Sequence, residues 1–564
     1  MAKQLTRREF MQLTTLSASA GLLAACVSAA PSGAPAAQPA TGGAAPAQAA
    51  VSGTLNIGYG QKTSYSHFMH LRSYAGGETI YNRLLLQGKL VQLREPTKEF
   101  YPDLAEKWEF SPDGKSLTFY LRKGLKWHDG QPFTAKDVDF TFHIAGLDLG
   151  GYILTRYLSP YVVGVREWID NKAERIKGLT VLDDNTVRFD MINPANEDLV
   201  LGALNNTCMA PQHILSSYLN RDKAKDILQS EWATTAKHVG IGPFKVVEYV
   251  ADQYIVYEPN PDYHFGKPKL NRVVYHSYQD RQTVAAAIEK KEIDIGWIPD
   301  TEYARMQQLD FLNFRTPQAT LTVGTTINGA RPYLKDKRVR QALLYALDRD
   351  TIIKKIYADA SKKIDTLIQL PKFGESPNLK RYNYDPEKAK QLLKEAGWDG
   401  QTKLRWLTDK IPADTSIWDA INGYWAEVGV QAEFQINADL SAARGPEYDF
   451  DLYWSSYPIG HPTEFASYFD SRSAEAYYTG FKNARYEELS DKSVQRLPDD
   501  EMKKVIYEMQ EILAEEALFQ RPTSGRSTSA CTMCCRSTRP AALTTGAGFR
   551  RLRWTAKATL DLRF

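Results

Sequence analysis

Trp108-Glu109-Phe110-Ser111-Pro112-Asp113-Gly114-Lys115-Ser116-Leu117-Thr118-Phe119-Tyr120-Leu121 is followed directly by Arg122-Lys123-Gly124-Leu125-Lys126-Trp127-His128-Asp129-Gly130-Gln131-Pro132-Phe133-Thr134-Ala135-Lys136-Asp137-Val138. Apolar residues alternate on both arms of the first part, and Pro112-Asp113-Gly114 supplies the turn, so it reads as a β-hairpin. Gly124 and Gly130 stand where a chain leaving a strand must turn. Lys136-Asp137 then opens a helix. Strand, turn and helix within about thirty residues predict a mixed α/β architecture.

Working outward, Leu179-Thr180-Val181-Leu182-Asp183-Asp184-Asn185-Thr186-Val187-Arg188-Phe189 reads as a second hairpin, and Gly53-Thr54-Leu55-Asn56-Ile57-Gly58 as an opening strand. Asp385 with Pro386 behind it marks a helix start, with Ala389, Leu392, Leu393 and Ala396 on one face and Gly397 as the stop. Helices are also expected over about Lys337–Tyr357 and Asp500–Ala517. At 564 residues, 43% hydrophobic and 24% charged, the chain has material for three or four folded units and excludes disorder, coiled coil and collagen. No stretch reaches the roughly 18 consecutive apolar residues of a membrane span. The net charge of +3 hides a basic tail: without residues 1–25 and 521–564 the body has 65 acidic against 58 basic residues. A mildly acidic body speaks against nucleic acid as a partner.

The N-terminus carries Lys3, Arg7 and Arg8, then a short apolar stretch from Leu13 to Ala25. Thr6-Arg7-Arg8-Glu9-Phe10 resembles a twin-arginine export signal, and Leu23-Ala24-Ala25-Cys26 resembles a bacterial lipobox whose Cys26 is lipidated. Two or more acyl chains on one residue would anchor the protein at the outer face of the cytoplasmic membrane. Residues 27–50 are almost wholly Ala, Pro, Gly, Ser and Gln and read as a disordered tether.

Several blocks together resemble the family 5 extracellular solute-binding proteins, the receptors of peptide- and nickel-type ABC importers. They are Pro102-Asp103-Leu104-Ala105-Glu106-Lys107-Trp108, the hairpin and the Leu121–Val138 run, Gly242-Pro243-Phe244 with Asn260-Pro261-Asp262-Tyr263-His264, and Glu292-Ile293-Asp294-Ile295. Asp336-Lys337-Arg338-Val339-Arg340-Gln341-Ala342 with Asp348-Arg349, and Tyr384-Asp385-Pro386-Glu387-Lys388-Ala389, complete the series. The resemblance implies a periplasmic-binding-protein-like fold with two hinged halves, three lobes, mixed sheets and a ligand cleft. One half is expected over 51–312, with 86–206 as an inserted lobe, and the other over 313–505. Residues 506–520 are expected as a return helix to the first half. The implied function is capture of a solute by hinge closure and delivery to ABC permease subunits, by a monomer with no cofactor. Arg338, Arg340, Asp348 and Arg349 are expected to pair with one another as scaffold.

In that family the strand corresponding to Tyr448-Asp449-Phe450-Asp451-Leu452-Tyr453-Trp454-Ser455-Ser456-Tyr457 delivers a Trp and often, three residues on, an Asp that pairs with a peptide ammonium. Trp454 is present, but Tyr457 stands at the Asp position. An ammonium buried without a counter-charge is costly, so the aromatic, hydroxyl-rich strand also suits an oligosaccharide. Trp454, Ser455, Tyr457, Tyr453 and Trp406 are the expected ligand contacts from one half. Tyr65, His67 and Tyr81 are those from the other. Trp418 and Trp425 read as core, and Asp449 and Asp451 as strand-edge residues.

His67 and His70 have helical spacing but no third ligand follows, so no metal site is expected. No catalytic motif stands out. A secreted carbohydrate-active enzyme is the rival from another class, because a carboxylate pair is compatible with so many acidic residues. Residues 521–564 contain no Val, Ile, Tyr, Glu, Asn, Gln or His, yet include Cys531, Cys534 and Cys535. This basic tail reads as aberrant, the product of a reading-frame shift near codon 520.

Overall fold

The computed structural model describes residues 53–536 except 61–67, 69–76, 95–98, 148–157, 316–320, 357–362, 364, 369–372, 409–414, 438–449, 459–467, 473–478 and 521–531. The chain opens with β1 (Thr54–Gly60), whose last four residues are buried. Burial on both faces is the mark of a central strand in a sheet with parallel pairing. A two-stranded ribbon of β2 (Val91–Arg94) and β3 (Glu99–Pro102) follows. The expected hairpins come next: β4 (Ala105–Phe110) with β5 (Ser116–Leu121), and β6 (Leu179–Asp183) with β7 (Thr186–Asp190). They join as one antiparallel sheet in the order β4-β5-β7-β6.

The turns between these hairpins match the sequence. Gly124 and Gly130 have φ of +73° and +88°, a region that favours glycine. Thr134 caps the helix Ala135–Ala145 in a capping box with Asp137. The apolar core of this lobe runs from Leu90 to Ile241 and takes in Met209, Leu215 and Trp232. Residues after 206 therefore continue to fill the same core.

The chain then builds β8 (Phe244–Val250), β9 (Tyr254–Pro259), β10 (Arg272–Tyr278), β11 (Ile295–Ile298) and β12 (Leu312–Arg315). β1 lies parallel to both β10 and β11. Asn56 and Asp294 tie β1 to the approach of β11, with the Asn56 amide donating to Asp294 Oδ2 at 2.8 Å. After residue 315 the chain enters a second sheet: β13 (Leu321–Ile327), β14 (Lys403–Thr408), β15 (Gln431–Ile436), β16 (Leu452–Pro458) and β17 (Phe519–Gln520), in the order β15-β14-β16-β13-β17. A final strand, β18 (Thr532–Arg536), returns to the first sheet and gives it the order β12-β18-β11-β1-β10-β9-β8.

Three expectations about the second sheet's helices change. The periodic stretch from Lys337 is two helices, Lys337–Tyr345 and Arg349–Ile356. Asp348 accepts from the Thr351 amide at 2.9 Å and starts the second one. Arg338, Arg340 and Arg349 pair not with one another but with Asp336, Glu516 and Asp365. Arg340 and Arg349 are buried, so their carboxylates come from whichever element covers them. Lastly, the helix Asp499–Glu516 does not return to the first sheet. Glu515 bonds Lys337 and Lys380, Glu516 bonds Arg340, and β17 pairs with β13. The return crossing therefore falls after Gln520. No helix among the described residues is long and apolar enough to cross a membrane.

Candidate functional site

β16 runs between β13, to which it is antiparallel, and β14, to which it is parallel. Its residues are mostly aromatic or hydroxylated, types that suit a pleated surface. Side chains alternate along a strand, so β16 offers two different faces. Leu452, Trp454 and Ser456 lie on one, opposite Ile327, Thr325 and Val323 of β13. Tyr453, Ser455 and Tyr457 lie on the other, opposite Thr326, Gly324 and Thr322. Trp454 and Tyr453 are adjacent on β16 and so face opposite ways.

Trp454 is half-buried, its ring 6.1 Å from that of Trp406 and 5.7 Å from that of Trp418. Trp406 has 0% exposure and is enclosed by Trp418, Trp425, Phe434 and Trp454. This corrects the expectation for Trp406: a ring covered on every side by protein supports Trp454 and has no face left for a solute. Trp418 and Trp425 are buried in the same core. Tyr453 is half-buried with its ring 6.0 Å from Phe450.

The residue that anchors this strand is Asp451, which the sequence reading placed at a strand edge. It is fully buried. Its carboxylate accepts from the Arg405 amide at 2.7 Å, pairs with Arg331 Nε at 3.0 Å and lies 3.5 Å from Arg405 Nε. Tyr333 donates its hydroxyl to the same group. Burial, reinforced by the neighbouring carboxylate, pushes the Tyr333 hydroxyl up to about 12. Two guanidinium groups and a phenol satisfy a buried charge that would otherwise be prohibitive. The network fixes β16 two residues before Tyr453.

On the first sheet's side, Tyr65, His67 and His70 lie outside the described residues, and Tyr81 sits on the helix Gly77–Leu86. The next residues hold that helix in place: Tyr257 donates its hydroxyl to Asn82 at 2.6 Å, and Arg83 donates to the Asn206 carbonyl. Two buried histidines pin the turn after it. His128 Nδ1 accepts from the Gly240 amide at 3.1 Å, which leaves Nε2 to donate to the Gly242 carbonyl at 3.1 Å. His238 Nδ1 donates to the Trp232 carbonyl at 2.8 Å, and its Nε2 accepts from Gln87 at 2.7 Å. Burial pulls His128 down to about 3 and His238 to about 4, so both are neutral near pH 7.

Among the described residues no group of three His, Cys, Asp or Glu side chains could hold a metal ion. A cavity of about 40 Å³ lies among Leu344, Leu347, Arg349, Asp365, Tyr382 and Leu513. It has room for about one water and is lined by none of the expected ligand contacts.

Residues 99–477 match the family described as bacterial extracellular solute-binding proteins, family 5. The chain is 30% identical over 458 residues to the dipeptide-binding protein of Escherichia coli, covering 76% of this chain and 82% of that one. It is 26% identical over 462 residues to heme-binding protein A of Haemophilus influenzae, covering 78% and 81%. The solved structure of the oligopeptide-binding protein AppA from Bacillus subtilis, in complex with a nonapeptide, shares the fold with a TM-score of 0.72. Sequence identity there is 22%, with 91% of this chain and 98% of that chain covered. By its match over residues 99–477, its α/β fold and these relatives, the chain belongs to family 5 of the bacterial extracellular solute-binding proteins.

Proposed function

We propose that this protein is the substrate-binding component of an ABC importer, that it encloses a short peptide between two halves, and that it hands the peptide unchanged to permease subunits. The observation that carries this reading is the 30% identity to a dipeptide-binding protein over most of both chains. The topology suits it. The chain leaves the first sheet after β12 and rejoins it with β18, and two such passages suit a hinge between the sheets. A solute that touches both halves only when they meet draws the population toward the closed form. Trp454, Tyr453, Ser455 and Tyr457 are the proposed contacts from the second half, and Tyr65, His67 and Tyr81 those from the first.

A second reading, an oligosaccharide, is favoured by the Tyr453, Ser455 and Tyr457 face of β16, which lies opposite Thr326 and Thr322 and carries no carboxylate. Calorimetric titration with dipeptides to pentapeptides and with di- to tetrasaccharides separates the two. Heat from peptides is the expected outcome, and heat from sugars alone would replace peptide by sugar. Trp454→Ala is expected to weaken binding of the recognised solute about tenfold or more, the effect of losing an aromatic anchor, while Trp454→Phe retains most of it. Unchanged affinity in Trp454→Ala would remove this residue from the site.

The segments outside the fold complete the proposal. Cys26 is the lipid-bearing residue, residues 1–25 the export signal and 27–50 the tether, so the protein is held at the outer face of the cytoplasmic membrane. Cys26→Ala should release it into the soluble fraction; continued membrane association would disprove the anchor. The tail from Arg521 derives from a frame shift. Translation of the neighbouring frame should yield alternating, strand-like sequence, and a frame without it defeats that idea.

A further inference from the structure

Among the described residues, the expected inserted lobe and the expected second half meet around residues 194–195 and 494–496. Ala195 of the inserted lobe forms an isolated antiparallel bridge with Gln495, in the turn after the helix Ala484–Ser493. The Arg496 amide donates to the Pro194 carbonyl at 3.1 Å. Val494 packs against the inserted lobe's apolar core. A Cβ at Gly114 would stand 3.4 Å from Arg496 Nη1 and 3.5 Å from the Pro194 Cβ, so the Arg496 side chain rests against the hairpin turn.

Both surfaces are fixed by their own lobes. The Ala195 amide donates to the Gly114 carbonyl at 3.3 Å. Asn196 caps the helix Glu197–Leu204 by accepting from the Asp198 amide. On the other side Ser493 is buried and donates to the Ser490 carbonyl at 2.8 Å. Neither loop needs to reorganise in order to meet the other. The contact is small, a main-chain bridge with one valine and one arginine side chain, and relative motion is the default between lobes that share no large apolar interface.

We propose that this contact is a latch: the 194–195 loop and the 494–496 turn meet when the halves close and part when they open. It lies in neither proposed solute wall, so it biases closure without touching the solute. The inference rests on the hinged reading above. One main-chain hydrogen bond and a partly buried valine shift the open-to-closed ratio by about tenfold. A mutation here therefore alters affinity from a distance, through the fraction of closed molecules.

Antiparallel bridge partners have Cα atoms about 4.5–5.5 Å apart, within the span of a disulfide. The test is Ala195→Cys/Gln495→Cys in the full chain, with each single variant as a control for the native cysteines. Small-angle X-ray scattering without solute reads the result, so failure of the peptide reading does not disturb it. The oxidised double variant is expected to be compact and to expand on addition of dithiothreitol, while the single variants show no redox response. An equal radius of gyration in both redox states would make the contact permanent and overturn the latch, as would failure of the pair to cross-link. Val494→Asp supplies an independent arm. It should enlarge the solute-free particle without loss of cooperative unfolding, and an unchanged radius would again contradict the proposal.

Discussion

Acidification from about pH 7 to about pH 4 is expected to remove about 6 kcal/mol of stability through His128 and His238 alone, about 3 kcal/mol from each. The direction follows from where each ring binds its proton. Burial holds the folded values at about 3 and about 4, below the ordinary 6.5 of the unfolded chain. The unfolded chain takes up the proton first as pH falls. The stability is therefore fully present above about 6.5 and is lost progressively down to the folded values. Each ring has one nitrogen that accepts, from the Gly240 amide in His128 and from Gln87 in His238. A second proton would set two donors face to face. Urea unfolding of the wild type, His128→Gln and His238→Gln at several pH values measures this. Carboxylates titrate in the same range, so the wild-type-minus-variant difference isolates the histidines. Acid limbs of equal slope in all three proteins would contradict the assignment.

Asp451→Ala is expected to cost about 3–5 kcal/mol, the range for removing one partner of a buried ion pair. The loss removes the carboxylate that Arg331, Arg405 and Tyr333 share and the acceptor of the Arg405 amide. Asp451→Asn keeps the shape and one acceptor oxygen and should lose less. The consequence for function is specific, since β16 leaves this network directly into Tyr453 and Trp454. Denaturant titration reads the stability, and calorimetry on the surviving folded fraction reads the affinity. A stability within about 0.5 kcal/mol of wild type would show that the carboxylate does not hold the strand.

Local signals were legible in the sequence. The Pro112-Asp113-Gly114 turn, the helix opening at Lys136-Asp137 and the Asp385-Pro386 helix start all appear where the residues placed them, since each needs only near neighbours. The Asp451 network was not, because Arg331 and Tyr333 lie about 120 positions away and only the sheet brings them together. Alternation along β16 and β14 could separate the two faces, but not say which one the helices would cover, and so Trp406 was expected at a solute surface. The break between Lys337–Tyr345 and Arg349–Ile356 escaped because the apolar period continues through it while the Asp348 cap interrupts it. The position of the return crossing depended on Glu515 and Glu516 finding Lys337, Lys380 and Arg340, again partners remote in the chain.

The most direct measurement is a thermal-shift titration of the full chain with short peptides, followed by mass spectrometry of the recovered solute. A receptor that traps a peptide and releases it gains stability as the logarithm of free solute over its dissociation constant and returns the peptide intact. The expected result is a saturable rise in melting temperature with at least one peptide class and an unaltered mass. A melting temperature indifferent to every peptide, or a recovered solute cut into fragments, would contradict the account.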